Sequence, residues 1–293
     1  MPHAQLIGAA AAGALSATAL LVSILRASPN FARRLAKKQV ITTPHPHPKY
    51  KPGDKQPHPF GHDRMISLDP AVIGGAAMYP FVISSVVPRP VAFISSLSKE
   101  GEGNLSPYSY FNAVSHDPPF LAVGHCHTKG RPEGKKDSLL NILETGEFVV
   151  CIMSEWFIEA ANHTCGNYDR GINEMELSGL TPVPSVKVKP PRVKESAVHF
   201  ECKLRHTYDV KNDKGEVTAT VVLGEVVLAH VHEGVAAKSP SGKTIVDITK
   251  YWPVARLGGN TYSRLTEIFD LPRPDREWQF KTPTKGDMPK AGS

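Results

Sequence analysis

The chain has few cysteines, and no two of them form a C-x-x-C pair. Four occur in 293 residues, at Cys126, Cys151, Cys165 and Cys202. A chain of this length can bury a sizeable core without disulfide bridges. The cysteine pattern therefore gives no sign of a disulfide framework and predicts reduced thiols in an intracellular compartment.

Acidic residues are absent from the amino end of the chain. The first is Asp54, so the formal net charge of +6 is concentrated in a basic tail. No recognisable nucleic-acid module accompanies that charge, and we expect no nucleic-acid partner. A G-x-G-x-x-G motif at a strand-to-helix junction is also missing, so a separate Rossmann domain for a nicotinamide is not supported.

The amino end carries a long apolar run. Residues 4–25 have no charge and match the roughly 20 residues that span a bilayer. Residues 1–40 are predicted to be a membrane anchor that keeps the rest of the chain in the cytoplasm, a cleaved mitochondrial presequence, or an Ala-rich helix packed elsewhere. Export is disfavoured because a glycan at Asn104-Leu-Ser would block the ligand stretch described below.

The remaining chain divides by composition. Residues 41–65 alternate proline with histidine and are predicted to be an extended linker, since proline at this density excludes helix interiors and central strands. Residues 66–269 are predicted to form one domain, and residues 270–293 a loose tail.

Strand patterns outnumber helix patterns in the predicted domain. Short helices are expected at 69–79, from Asp137 or Ser138 to Gly146, and at 155–162. A strong hairpin turn, Asn212-Asp-Lys-Gly, joins the two longest strand runs. Sequential hairpins favour a mainly β, antiparallel barrel with a few short helices over a parallel sheet. The predicted strands lie at 81–87, 91–97, 106–115, 119–125, 148–153, 197–210 and 217–232.

The most informative stretch follows a turn at residues 99–104. From Leu105 to Asn112, hydroxyl residues alternate with aromatic ones, and Pro107 indicates an edge or a bend. Hydrogen-bonding groups beside flat apolar walls suit a planar heteroaromatic ligand with polar edges. The alternative is a half-buried strand with ordinary alternation.

Several segments together resemble the flavin reductase-like family of FMN-binding split barrels, over about residues 78 to 265. That resemblance implies a six-stranded Greek-key split β-barrel, which pairs into a homodimer with flavin at the subunit boundary. It also implies FMN as cofactor, NADH or NADPH as reductant, and an electron acceptor or partner oxygenase. The matching segments are residues 88–96, 103–112, 117–119, 136–142, 146–150, 174–181, 190–196, 201–202 and 256–262.

The resemblance also implies the cofactor-binding residues. Arg89, Lys136 and Ser138 are the expected phosphate partners, with Asp137 organising the turn, and a helix start at Ser138 favours an anion. No catalytic side chain is expected, because a flavin carries the hydride chemistry itself. The residues expected at the ring and ribityl chain are Ser95, Ser96, Asn104, Ser106, Pro107, Tyr108 and Ser109.

Two alternatives remain open from the sequence. The protein could hold FMN permanently as an electron carrier or a flavin-sensing module without reductase activity. Alternatively, His125 and His127, two apart on one strand face, could be ligands of a zinc or iron hydrolase. We expect no metal site, because no third ligand has convincing spacing.

Overall fold

The computed structural model describes residues 40–51, 53–56 and 58–272, in two compact units. The predicted targeting segment, residues 1–40, lies outside the described residues except for Val40, as does the predicted tail after Pro272. Within the described ranges, no helix is both long and apolar enough to cross a bilayer. One unit comprises the described parts of residues 1–51 and 266–293, and the other spans residues 52–265.

The smaller unit contains a pair of short parallel strands, and the larger unit contains the rest. The strands are β1 (Ile41–Thr42), β2 (Ala92–Leu97), β3 (Gly103–Tyr108), β4 (Phe111–His116), β5 (Pro119–Cys126), β6 (Glu147–Ile152), β7 (Pro182–Val183), β8 (Arg192–Val193), β9 (Val198–Lys211), β10 (Val217–Val231), β11 (Ala236–Lys238), β12 (Thr244–Val246), β13 (Val254–Arg256), β14 (Tyr262–Arg264) and β15 (Glu267–Ile268). The helices are α1 (Pro70–Ser85), α2 (Asp137–Thr145), α3 (Ile158–His163), α4 (Glu174–Leu177) and α5 (Ile248–Tyr251).

The larger unit is built on a seven-stranded antiparallel sheet in the order β3-β2-β6-β9-β10-β5-β4. Strands β3 and β4 lie at opposite ends of this order, yet only Ser109 and Tyr110 separate them in the chain. The carbonyl of Tyr110 also accepts a hydrogen bond from the amide of Gly124 on β5, at 2.7 Å. The two edges of the sheet therefore meet at this corner, which confirms the predicted mainly β, antiparallel split barrel.

The corner divides one predicted strand into two. Residues 106–115 were expected to form a single strand, but the chain bends at Ser109 and Tyr110. This division gives seven strands rather than the six that the family resemblance implies. Pro107 lies in the edge strand β3, as expected for a residue without an amide donor.

The core covers both faces of the central strands. Phe93 of β2 packs with Val149 of β6 on one face, and Ile94 packs with Phe148 on the other. Helix α2 covers the second face with Leu139 and Ile142. Because both faces are buried, apolar residues follow one another in β6 and in the first half of β2, and both strands were predicted from the sequence.

The prediction of a strand at residues 81–87 is wrong. Helix α1 begins after Asp69, whose side chain accepts the amide of Ala71, and continues to Ser85. The guanidinium of Arg89 donates to the carbonyl oxygens of Ile83 at 2.5 Å and Val86 at 2.7 Å. These bonds satisfy carbonyls that the end of a helix leaves free, so the β-branched run is held as a helix.

Two other local predictions hold, one with a change. Helix α2 ends at Gly146, which adopts a left-handed conformation with φ of 72°. Its first residue is Asp137, but the cap is Lys136 and makes no side-chain capping bond. The hairpin between β9 and β10 turns at Asn212, whose side chain accepts the amides of Lys214 and Glu216.

Candidate functional site

Two adjoining cavities lie in the larger unit beside the corner between β3 and β4. The first has a volume of about 240 Å³ and faces the start of α2. The second has a volume of about 420 Å³ and lies beside α1, β5 and the β13–β14 hairpin. Tyr108, Lys136 and Cys165 border both cavities.

Hydroxyl and amide groups converge in the first cavity. Asn104 of β3 donates from Nδ2 to Oγ of Ser138 on α2, at 2.7 Å, and both side chains are buried. Burial raises the pKa of Tyr108 to about 12, against the opposing effect of hydrogen bonds with Ser138 and Ser106. Tyr108 therefore stays protonated at physiological pH and keeps a hydroxyl that can donate.

The loop before α2 is fixed by ion pairs around Asp137. Arg131 approaches its carboxylate at 3.2 Å and Arg170 approaches it at 3.5 Å. Arg131 also donates to Oδ1 of Asn167 at 2.8 Å and to the carbonyl of Tyr168 at 2.5 Å. Asp137 thus organises the turn and occupies two arginines.

Lys136 differs from these arginines. In the described part of the chain, no ion pair involves its ammonium group, although its neighbours Lys135 and Asp137 are both paired. It borders both cavities, so its positive charge is available to a ligand in either one.

Glu174 of α4 also borders the first cavity, and the sequence did not indicate it as a site residue. Its Oε2 accepts the amide of Leu105, at 2.9 Å, between Asn104 and Ser106. Burial raises the pKa of Glu174, and the nearby charge of Asp137 raises it further. Glu174 therefore occupies a free amide of the edge strand and holds the cavity-lining part of β3 in place.

Tyrosine rings and cationic groups line the second cavity. The guanidinium carbon of Arg256 lies 4.4 Å from the ring centre of Tyr262. The Tyr262 hydroxyl donates to Oδ1 of Asn162 at 2.9 Å, and Arg256 donates to the carbonyl of Gly259 at 2.6 Å. Both side chains of this cation–π pair are thus held by further hydrogen bonds.

The structure brings together nine of the eleven predicted cofactor-binding residues. The first cavity is lined by Asn104, Ser106, Tyr108, Lys136, Asp137 and Ser138, and the second by Arg89, Pro107, Tyr108, Ser109 and Lys136.

Ser95 and Ser96 border neither cavity. Both are buried, and Oγ of Ser96 accepts from Nδ2 of Asn141 at 3.2 Å, between β2 and α2. Arg89 borders the second cavity, but both of its terminal nitrogens donate to backbone carbonyls, including that of Leu257 at 2.7 Å. Because these bonds occupy both terminal nitrogens, the geometry of Arg89 suits a structural role better than binding of a phosphate.

The two histidines considered as metal ligands have different surroundings. Nε2 of His127 lies 3.0 Å from Oγ1 of Thr220, whereas His125 is fully buried and its ring nitrogens have no hydrogen-bond partner among the described residues. Among the described residues, no three side chains of the ligand types cluster together.

Two segments of the cavities had no clear sequence signal. Residues 164–168 and 256–262 reach the site from distant parts of the chain. The only local sign in 164–168 is a run of small and polar residues directly after a helix, without apolar periodicity. Arg256 to Tyr262 fell within the family resemblance, but no role was predicted for it.

A polar, cationic cavity therefore adjoins an aromatic one on an antiparallel split barrel. Residues 84–246 match the family model of the flavin reductase like domain. The uncharacterized protein YwrF of Bacillus subtilis is 40% identical over 196 residues, covering 67% of this chain and 93% of that protein. This chain belongs to the flavin reductase like domain family.

Solved structures agree with this assignment. Nitrilotriacetate monooxygenase component B from Bacillus cereus is 34% identical, with a TM-score of 0.66, covering 72% of this chain and 100% of that chain. A split barrel domain protein from Shewanella frigidimarina is 23% identical, with a TM-score of 0.58, covering 70% of this chain and 96% of that chain, and supports the fold alone.

The residues of the site fit a flavin. Hydroxyl and amide donors at Asn104 and Ser138 suit its polar atoms, and Tyr108 provides a flat wall. Lys136 supplies a cation that no carboxylate neutralises within the described residues.

Proposed function

We propose that this protein is an FMN-binding oxidoreductase that takes hydride from NADH or NADPH and passes the electrons to an acceptor. The observation that carries the proposal is the junction of β3 with α2. There the Asn104–Ser138 hydrogen bond and the start of a nine-residue helix meet in one cavity with Lys136, which forms no ion pair within the described residues. Amide donors and the helix dipole favour an anion at such a position.

Each group has a distinct part in holding FMN. Lys136 and Ser138 bind the phosphate, while Asp137 keeps the preceding loop in position through its two arginines. Asn104 and Ser106 contact the ring edge or ribityl chain, and Glu174 fixes the strand that carries them. The bound flavin supplies the hydride chemistry, and the protein orients and shields it.

The segments that Arg131 joins at the first cavity favour FMN over FAD as the cofactor. Arg131 bonds to Asn167, Tyr168 and Asp137 and so joins the loop before α2 to the segment after α3. A cavity of about 240 Å³ bounded in this way leaves little room for the adenosine monophosphate group that FAD carries beyond FMN.

The proposal extends to the oligomeric state, the partner and the location of the protein. A homodimer is supported by apolar side chains exposed on α1 and β4, such as Val72, Phe81 and Val114. An electron-accepting partner oxygenase is supported by the Bacillus cereus relative, which is named as a monooxygenase component. Residues 1–40 would direct the protein to a membrane or an organelle.

Flavin titration of a double variant tests the phosphate site. Lys136→Ala with Ser138→Ala should weaken FMN affinity by roughly 10²- to 10⁴-fold, because each charge-assisted phosphate bond contributes about 1.5–3 kcal/mol. Lys214→Ala, in the exposed turn between β9 and β10, is the matched control and should bind FMN as the wild type does. An unchanged affinity in the double variant would refute this placement.

Anaerobic reduction tests the reaction separately from binding. The purified full chain loaded with FMN should lose the yellow absorbance of oxidised flavin when NADH or NADPH is added. Retention of flavin colour with both nucleotides, combined with tight FMN binding, would identify an electron carrier instead of a reductase.

A further inference from the structure

Two arginines lie opposite each other on one wall of the second cavity. The backbones of Arg89 and Arg256 form an antiparallel bridge, in which the amide of Arg89 donates to the carbonyl of Arg256 at 3.1 Å and the reverse bond measures 2.9 Å. Directly opposed residues of an antiparallel pair have their side chains on the same face. Both arginines border the second cavity, so this wall brings two cations together.

No carboxylate offsets these cations at the second cavity. Arg89, Lys136 and Arg256 border it, and no aspartate or glutamate is among its lining residues. None of the three forms an ion pair within the described ranges of the chain. Burial raises the pKa of Tyr110 and of Tyr262, so their hydroxyls stay neutral at physiological pH. Like charges directly opposite each other are destabilising, and negative charge on an occupant would relieve that repulsion.

Arg89 also has a donor that lacks an acceptor. The residue is only 6% exposed, and its terminal nitrogens donate to the carbonyls of Ile83, Val86 and Leu257. Its Nε has no hydrogen-bond partner among the described residues. A buried donor without an acceptor is uncommon and costly. The carbonyl oxygens and ring nitrogens of a flavin are acceptors of the kind that this donor lacks.

We propose that the flavin ring lies in the second cavity, where Arg89 and Arg256 make the protein hold reduced FMN more tightly than oxidised FMN. A hydride from NADH or NADPH brings two electrons and one proton, so FMN becomes FMNH⁻ and the nucleotide leaves as NAD⁺ or NADP⁺. Two cations with no lining carboxylate favour the negative charge that the ring gains. The inference rests on the proposed function for flavin binding and adds the route by which electrons leave.

Tighter binding of the reduced form has a consequence for turnover. Linkage requires that it raise the midpoint potential of bound FMN above that of free FMN, by about 30 mV for each tenfold difference in affinity. The reduced flavin then stays on the protein. Electrons leave to an acceptor that comes to the bound flavin, rather than by release of reduced FMN.

Titration of the full chain with FMN in both redox states tests the inference. Dithionite serves as the reductant, so the result does not depend on reaction with NADH or NADPH. Reduced FMN should bind at least about 10-fold more tightly than oxidised FMN, and the midpoint potential should lie at least about 30 mV above that of free FMN. Arg256→Gln should lower the affinity ratio by about 3- to 10-fold and the potential by about 15–30 mV. Arg256→Lys keeps the charge and should restore most of both.

Arg264→Gln is the matched control. Arg264 lies on β14, in the same hairpin as Arg256, but it pairs with Glu155 at 2.7 Å and borders neither cavity. This variant should keep the wild-type affinity ratio and potential.

The contrary outcomes separate the inference from the proposed function. Equal affinity of the wild type for the two redox states, or equal effects of Arg256→Gln and Arg264→Gln, would overturn the inference alone. Absence of FMN binding would overturn the proposed function and the inference with it. The wild-type comparison needs no variant, so it decides the case even if Arg256→Gln fails to fold.

Discussion

At the residue scale, His125 is the least satisfied side chain near the site. It is fully buried, its ring centre lies 4.4 Å from that of Tyr108, and both ring nitrogens lack a hydrogen-bond partner in the described part of the chain. Burial lowers its pKa from the ordinary 6.5 to about 3, with smaller contributions from the charges of Lys136 and His127. The folded protein therefore keeps this imidazole neutral, at the cost of its lost hydrogen bonds to water.

The protein should lose stability in acid through this residue. The pKa is lowered in the folded state, so below pH 6.5 the unfolded chain takes up a proton that the folded chain refuses. The free energy of unfolding should fall as the pH drops from about 6.5 toward 3, by up to about 4 kcal/mol. His125→Leu should flatten this dependence and raise stability by about 1–2 kcal/mol at pH 7, measured by urea denaturation.

His206→Leu is the matched control for this experiment, since His206 is an exposed residue of β9. It should leave the pH dependence as in the wild type. A His125→Leu variant that keeps the wild-type acid sensitivity would show that another group is responsible.

The sequence showed where charged residues lie along the chain, but not what they contact. Lys136 and Arg89 were both predicted as phosphate partners from their charge and position. The structure leaves Lys136 unpaired within the described residues but engages Arg89 with three carbonyl oxygens. Charge can be read from a sequence, whereas the partner of a charged group depends on contacts such as that with Leu257, 168 residues away.

At the element scale, local sequence signals were sufficient to predict several strands and the end of one helix. Strands β6, β9 and β10 follow from β-branched runs, and the end of α2 follows from Gly146. The end of α1 could not be predicted, because Phe81 to Ser85 favours a strand by composition. The bonds from Arg89, which lies outside the helix, help to hold this end helical.

Replacement of Arg89 should therefore loosen the end of α1. Arg89→Ala leaves the carbonyls of Ile83, Val86 and Leu257 without their donor and should lower the free energy of unfolding by about 2–4 kcal/mol. Hydrogen exchange should increase most at the end of α1 and in β13. Arg205→Ala, which removes an exposed ion pair, should cost at most about 1 kcal/mol. Equal effects of the two variants would contradict a locking role for Arg89.

At the scale of the whole molecule, the site depends on how the sheet closes. Its edges meet at Ser109 and Tyr110, which brings β3 near segments that are far away in sequence. The split barrel was predictable from the order of strand runs together with the family resemblance. The contributions of 164–168 and 256–262 were not, because they depend on closure and leave no periodic pattern.

Closure of the barrel requires a bare backbone at Gly224 of β10. A Cβ atom there would overlap the buried ring of Phe148 on β6. Gly224→Ala should therefore lower the free energy of unfolding by about 1–3 kcal/mol or more, measured by thermal and urea denaturation. Gly75→Ala, in α1 with open space around it, should be neutral or slightly stabilising. If Gly224→Ala is as stable as the wild type, the sheet can accommodate a Cβ atom at this position.

Lys136 belongs to the walls of both cavities. Among the residues described as lining them, it is the one charged side chain that the two cavities share. A ligand long enough to enter both would pass this ammonium wherever its anionic end lay. A substitution at Lys136 would therefore change the electrostatic potential of both compartments at once.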